Sequence, residues 1–382
     1  MFDKSAKIAE ATFSYERLER LLQQSLKTEA TLQDASSRRI GELQGFLSRI
    51  VKVGLEWSEE GSLPKSVVLK IPSLKNMKEL GEMVPGMKEF MQQFVSIDEI
   101  VTKAHNNECA FYRFARGREE SFKIPKCHFV EEIKVEKGQL GLLIMEDLTE
   151  SGGYVKRIHE KPQLPLLKDV VAAQAAYHAF SLLDDSWKGK LSVSFKDIMQ
   201  VDEDRSATMY EQVEELMRGK FPEYFSEEVI GRLKDFSDID KHVVYAVEEP
   251  ERMGVPPVLV QGDFWMSNIV VRKDEWTGEE RLLAIIDWQI CHPGSTAEDL
   301  ARFLCSSVNS QLRRDQEQIN EAYRRVFKYG VTAIVGGLPM FASQDAVLGE
   351  DPESGRHELL DRTKCLLEDL YASEDGHPLL PW

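Results

Sequence analysis

"QGDFWMSNIVV", residues 261–271, joins a Gly-Asp step to a β-branched apolar run, with Phe264, Trp265 and Asn268 between them. The run Ile269-Val270-Val271 reads as a buried strand. Asp263 and Asn268 therefore stand five residues apart at its lip. A structural loop needs one turn-forming Asp; two oxygen-bearing side chains ahead of a strand point to something held there. Downstream, "IVVRKDEWTGEERLLAIIDWQ" reads as a hairpin with Gly278 in its turn, and its second strand ends at Asp287. Pairing the two strands would bring Asn268 and Asp287 to the same end. An Asn amide oxygen and an Asp carboxylate are hard ligands suited to Mg²⁺, which usually keeps waters and takes substrate phosphates as well. Asp263 would stand nearby to accept or orient the proton of a substrate hydroxyl. Those are the parts that phosphoryl transfer needs. Singly, each has a plainer reading: Gly-Asp is a common turn, and the Asp of "IIDW" can cap a strand end. The order Asp-x4-Asn, strand, turn, strand, Asp is more specific than any of its members.

Such a site also needs a phosphate clamp, and the first half of the chain offers one. Lys70 in "KSVVLKIP" is a lone cation in an apolar strand, with Val68 on its own face and Leu69 on the other. A Lys held there is costly unless paired, and Glu108 in "HNNECAFYRFA" is the partner expected. The alternative is that Lys70 emerges at the strand end and Glu108 is solvated. Gly41 and Gly45 in "RIGELQGFLSRIVKV" are spaced so that backbone N–H groups could approach a phosphate, a weak signal in a hairpin.

The rest of the chain frames these motifs. Residues 8–27 predict an amphipathic helix, followed by β-rich segments split at "SEEGS" and by a Met-rich helical stretch running to about residue 116. "KCHFVEEIKVEKGQLGLLIMEDL" predicts two strands joined near Lys137-Gly138. "PLLKDVVAAQAAYHAFSLLDD" predicts a helix apolar on most sides and so central, and helices are expected to about residue 250 and again from Ser295 onward. His178 within the central helix reads as a hydrogen-bonded core histidine, and "RRDQEQINEAYRRVFK" as a solvated helix face. Aromatic residues such as Phe303, Tyr323 and Phe327 fit either a partly apolar acceptor pocket or ordinary core.

Composition narrows the class. A length of 382 residues suggests two domains or one bilobal unit. The net charge of −17 argues against nucleic acid as a partner. Five scattered cysteines without a Cys-x-x-Cys pair fit reduced thiols better than disulfides or zinc. With no signal-peptide pattern at the start and no run of 18 apolar residues, a cytoplasmic protein without membrane insertion is expected.

"VLVQGDFWMSNIVV", "LLAIIDWQICHPGSTAEDLARFL" and "KSVVLKIP" resemble the catalytic loop, metal-binding segment and third strand of the protein-kinase-like phosphotransferases. The likeness is closer to the choline kinase and aminoglycoside phosphotransferase branch. Within it, "GFLSRI", "LPKSVVLKI", "GDFWMSN", "SLKTEATL" and "YHAFS" are similar to the ecdysteroid-kinase-like (CHK-type) family, especially its nematode members. The resemblance implies an α+β, bilobal protein-kinase-like fold, with a small β-rich N-terminal lobe over 1–147 and a larger, mainly helical C-terminal lobe over 148–382. It implies ATP and Mg²⁺ as cofactors and a small hydroxylated molecule, steroid-like or glycosylated, as acceptor. Asp263 would be the catalytic aspartate, with Asn268 and Asp287 as metal ligands. Lys70 would hold the α/β-phosphates, oriented by Glu108, and Gly45 and Ser48 would stand where the family has its phosphate loop. Met145, Glu146, Asp147 and Leu148 would form the hinge that meets adenine. Gln261 and Asp299 would support the catalytic loop from below, although Asp299 could equally be a first-turn helix acid.

Two departures from the family pattern stand out. Gln261 replaces the His that commonly precedes Gly-Asp, and "GFLSRI" replaces a G-x-G-x-x-G loop. They leave a pseudokinase that binds nucleotide or ligand as the alternative to an active kinase. A metal-dependent hydrolase using Asp263 and Asp287 would leave Lys70 and the β-rich half unexplained. Only "WQICHPGSTAE" separates Asp287 from Asp299, too short for the peptide-docking activation segment of a protein kinase. A small acceptor is therefore expected.

Overall fold

The computed structural model describes residues 2–9, 11, 13–41, 47–59, 61–73, 97–193, 197, 203–233, 252, 254–308 and 337–371. Gly45, the stretches 74–96 and 234–250, the charge run 313–328, Tyr323 and Phe327 lie outside the described residues.

The first helix, α1 (Tyr15–Leu26), opens where the Ser14 side chain accepts from the Arg17 N–H. Its buried face repeats at Tyr15, Leu18 and Leu22. It is shorter than the 8–27 pattern suggests: Ile8 is buried in a preceding turn that Lys7 and Ser14 close by a bridge. A five-stranded sheet follows, built from β1 (Leu32–Ile40), β2 (Ser48–Trp57), β3 (Ser66–Pro72), β4 (Cys127–Lys134) and β5 (Gln139–Glu146). Its order is β1-β2-β3-β5-β4, and every neighbouring pair is antiparallel. As expected, Gly138 carries the left-handed turn between β4 and β5, at φ 63°.

Strand alternation divides the sheet's two faces. Val67 and Leu69 of β3, with Leu142 and Ile144 of β5, pack into the core shared with α1. On the other face, Leu143 and Met145 join the core shared with helix α2 (Ile97–Phe114), and Val68 and Lys70 line a cavity. The strand β3 thus carries its cation on the face turned to the interior of the molecule.

Beyond β5 the chain is mainly helical. A short strand β6 (Tyr154–Val155) precedes helix α3 (Leu164–Leu183). Leu166, Val170, Tyr177 and Ser181 of α3 are buried, but Leu164, Val171, Leu182 and Leu183 are exposed. Its apolar composition therefore reflects one covered face rather than burial all round. Helix α4 (Glu203–Lys220) contributes Tyr210, Val213 and Met217 to a second core. The strands β7 (Val258–Val260), β8 (Ile269–Lys273), β9 (Glu280–Ile285) and β10 (His292–Gly294) form two small sheets, β10-β7 and β6-β8-β9. The β8–β9 hairpin pairs Ile269 with Ile285 and turns at Gly278, as its pattern predicts.

Helix α5 (Glu298–Ser307) and the C-terminal helix α6 (Pro352–Tyr371) complete the described chain. Leu359, Leu360, Leu366 and Leu367 of α6 fill the second core. Arg362, fully buried on α6, donates to the carbonyls of Ile158 (2.9 Å), His159 (3.0 Å) and Ser306 (2.6 Å). It fastens α5 and the segment before α3 to the last helix. Among the described residues, no helix is long and apolar enough to cross a membrane.

Candidate active site

The loop between β7 and β8 is held from below by α5. The Asp299 carboxylate accepts from the backbone N–H of Gln261 (2.6 Å) and of Gly262 (2.9 Å), and from the Tyr177 hydroxyl (2.7 Å). Asp299 is completely buried, so it is more than a solvated first-turn acid. Burial and the neighbouring Glu298 charge push its pKa up to about 6, although those three donors favour the anion. Gly262 adopts φ +85°, and a Cβ there would lie 2.3 Å from the Ile290 carbonyl oxygen, so only glycine fits.

Gln261 ties this loop to the segment after β9. Its Nε2 donates to the carbonyls of Ile286 (3.0 Å) and Asp287 (2.6 Å), while its Oε1 accepts from the Asp263 N–H (2.8 Å). One amide thus satisfies three backbone groups, using both donors and the acceptor. The carbonyls it holds flank Asp287, a non-glycine residue in the left-handed region at φ 63°.

Asn268 turns its Nδ2 to the Asp263 carbonyl (2.8 Å) and to Asp263 Oδ2 (3.0 Å), so its oxygen is the atom left for a cation. Hairpin pairing brings its backbone against the next strand: the Ile286 N–H donates to the Asn268 carbonyl at 2.9 Å. Asp287 Oδ1 lies 2.6 Å from Lys70 Nζ, and Glu108 Oε2 lies 2.6 Å from the same nitrogen. Burial works against the Lys70 charge, but the two carboxylates outweigh it and hold its pKa above the ordinary lysine value. Burial raises the Asp263 pKa above the usual aspartate value; Arg302 opposes this, and the Asp287 charge adds to it.

Lys70, Glu108, Asn268 and Asp287 line one cavity of about 220 Å³ between the five-stranded sheet and the helical region. Ser48, Met145, Glu146, Asp147 and Leu148 line it as well. The Asp147 carboxylate accepts from Ser66 Oγ (2.5 Å) and pairs with Lys52 (2.6 Å), which pins the end of β5 to β2 and β3. Among the described residues, no three His, Cys, Asp or Glu side chains cluster as a metal site. One Asn oxygen and one Asp carboxylate fit a Mg²⁺ ion that brings phosphate oxygens and water to complete its shell.

Several residues shape the site without having been singled out in the sequence. Arg302 Nη1 lies 3.4 Å from Asp263 Oδ1; its place three residues after Asp299 on one helix was the available signal. Asn107 Nδ2 donates to the carbonyls of Cys291 (2.8 Å) and Gln289 (3.2 Å), and Phe111 stacks on Trp288 with centroids 3.9 Å apart. Both lock α2, which carries Glu108, to the segment after Asp287. Trp265 packs on Phe341, centroids 5.4 Å apart, two residues beyond Asp263. Phe303 is core, packed on Phe264 at 5.3 Å and 1% exposed, and His178 is buried against Tyr177.

A family profile described as "Uncharacterized oxidoreductase dhs-27" (DUF1679) matches residues 2–318. The Caenorhabditis elegans protein of that name is 25% identical over 281 residues, 72% of this chain and 32% of its own length. The chain thus spans about a third of the curated relative it matches. A crystal structure from Ralstonia eutropha JMP134, assigned as an aminoglycoside phosphotransferase, superposes with a TM-score of 0.51 at 13% identity, covering 93% of this chain and 97% of that one. A thermostable mutant of the aminoglycoside phosphotransferase APH(4)-Ia, in ternary complex with AMP-PNP and hygromycin B, gives a TM-score of 0.44 at 13% identity, over 93% of this chain and 99% of that one. The fold is the protein-kinase-like one of the aminoglycoside phosphotransferases, an N-terminal antiparallel sheet followed by a mainly helical region.

Proposed function

The chain belongs to the DUF1679 family, and from that premise and the geometry of its cavity we propose that it is an ATP- and Mg²⁺-dependent phosphotransferase acting on a hydroxyl of a small molecule. One observation carries the reading. Lys70 and Glu108 from the first half of the chain line one cavity with Asn268 and Asp287 from the second, and Asn268 donates to the Asp263 carboxylate beside it. A packing role alone does not need a buried cation, two carboxylates and a second, partly exposed Asp so placed.

In this reading the lobes divide at 147/148, where β5 has ended, and adenine sits against the backbone of 145–148. Lys70 binds the phosphates and Glu108 keeps its ammonium in place. Ser48 borders the phosphates. When bound through Asn268 and Asp287, Mg²⁺ supplies the charge neutralisation that phosphoryl transfer requires. Asp263 orients the acceptor hydroxyl and takes its proton as the oxygen forms its bond to the γ-phosphorus and the bond to ADP breaks. Gln261 and Asp299 fix the loop on which Asp263 stands. The three hydrogen bonds of Gln261 support full function without the family's usual His, and so favour the kinase over the pseudokinase.

The acceptor side is the helical region. Trp265 and Phe341 support a partly apolar acceptor, and the resemblance to ecdysteroid-kinase-like (CHK-type) proteins extends this to a steroid-like or glycosylated alcohol. The word oxidoreductase in the relative's name belongs to a protein more than twice as long, of which the match covers 32%. Hydride-transfer enzymes of the Rossmann type need parallel strands with a glycine-rich turn, whereas the five-stranded sheet here is antiparallel throughout.

The deciding experiment is calorimetric binding of ATP with and without Mg²⁺, on the wild type and on Asp287→Asn. Mg²⁺-dependent binding that the substitution weakens establishes the site and opens an acceptor screen. No ATP binding up to millimolar concentration removes the kinase reading.

A further inference from the structure

The helix α5 follows the 261–266 loop almost residue by residue. Asp299 takes the N–H groups of Gln261 and Gly262, Arg302 reaches the Asp263 side chain, and Ser307 Oγ accepts from the Met266 N–H at 2.9 Å. Asp299 and Arg302 are three residues apart and therefore share a helix face. The first supports the loop's backbone, and the second meets the one carboxylate that the loop exposes.

A terminal carboxylate has a broad, roughly two-fold torsion, so a single hydrogen bond does not settle its plane. Asn268 engages only Oδ2 of Asp263, at 3.0 Å. Arg302, whose side chain is 9% exposed, stands on the other oxygen at 3.4 Å. Asp287 places a like charge near by, which favours swinging the carboxylate away.

Resting on the phosphotransferase reading above, we propose that Arg302 is the positioning residue for Asp263. Together with Asn268 it holds the carboxylate by one oxygen each, so that an acceptor hydroxyl meets a single orientation. Arg302 touches neither nucleotide nor acceptor; it acts through Asp263. Its removal lowers turnover without changing nucleotide affinity, because Arg302 does not itself line the nucleotide cavity.

The test compares the wild type with Arg302→Met and Arg302→Lys, using Mg·ATP with water as acceptor and following ADP release. Arg302→Met is expected to lose at least tenfold in kcat, with KM for ATP and calorimetric ATP affinity within twofold of the wild type. Arg302→Lys is expected to recover part of that loss. A crystal structure of Arg302→Met is expected to show Asp263 rotated off Asn268. Wild-type turnover in a folded Arg302→Met, or a loss of ATP affinity in proportion to kcat, overturns the positioning role and leaves the phosphotransferase reading in place. A wild type that neither binds nor hydrolyses Mg·ATP removes that reading instead. The role of Arg302 then rests on the variant's crystal structure, where an unmoved Asp263 overturns it.

Discussion

Lys70 Nζ and Asp287 Oδ1 stand 2.6 Å apart although 217 residues separate them in the chain. Glu108 is as close on the other side and only 1% exposed. Replacing the cation therefore strands a buried carboxylate. Lys70→Met is expected to lower stability by about 3–5 kcal/mol, and the double variant with Glu108→Gln to recover much of it. Urea unfolding measures both; a Lys70→Met protein as stable as the wild type would show that Glu108 has another counter-charge.

Gly262 admits no side chain. Its φ is +85°, and the Ile290 oxygen lies 2.3 Å from where a Cβ would stand, so any larger residue forces the backbone to shift. Gly262→Ala is expected to destabilise by more than about 2 kcal/mol and to abolish turnover, since the two N–H groups on Asp299 move with it. Thermal melting and ADP release read the two effects; an unchanged melting temperature sinks the argument.

Gln261→Leu leaves one N–H and two carbonyls without their partner, an expected cost of about 2–4 kcal/mol from unsatisfied groups. A neutral imidazole offers one donor and one acceptor. Gln261→His is therefore expected to lie between wild type and Gln261→Leu in denaturant midpoint, and ranking the three midpoints checks the assignment.

Asp299 gives stability and activity opposite pH dependences. Its folded pKa of about 6 exceeds the ordinary value of 3.8, so between those limits the folded state holds a proton that the unfolded state has lost. Its contribution to stability is therefore fully present below about pH 4, falls as pH rises to about 6, and is constant above. The loop needs the anion, which accepts all three bonds, so turnover is expected to rise through about pH 6. Asp299→Asn removes that limb. A pH–rate profile unchanged by Asp299→Asn would assign the limb to another group.

The hairpin, the sheet and the order of the motifs were readable because strand alternation and turn residues are local signals. Lys70 announced itself as a charge in an apolar strand, and Asp263 and Asn268 by their spacing. Arg302 did not, because an arginine on an amphipathic helix reads as a solvated residue until the fold sets a carboxylate above it. Asn107 was silent for the same reason: its partners, the carbonyls of Gln289 and Cys291, lie more than 180 residues away. The start of α1 and the exposed face of α3 were misjudged because apolar periodicity does not report which neighbour covers a residue.

The anchorage of Ser306 by Arg362 has a consequence for how the protein is made. The helix beneath the candidate catalytic loop is clamped by a residue 56 positions later, and the same guanidinium reaches back 204 positions to Ile158. During synthesis the sheet can pair early, since all five of its strands lie before residue 147, whereas the loop's foundation waits for α6 to emerge. A ribosome-bound chain halted before that helix should therefore carry a protease-resistant sheet and a protease-sensitive 261–268 segment.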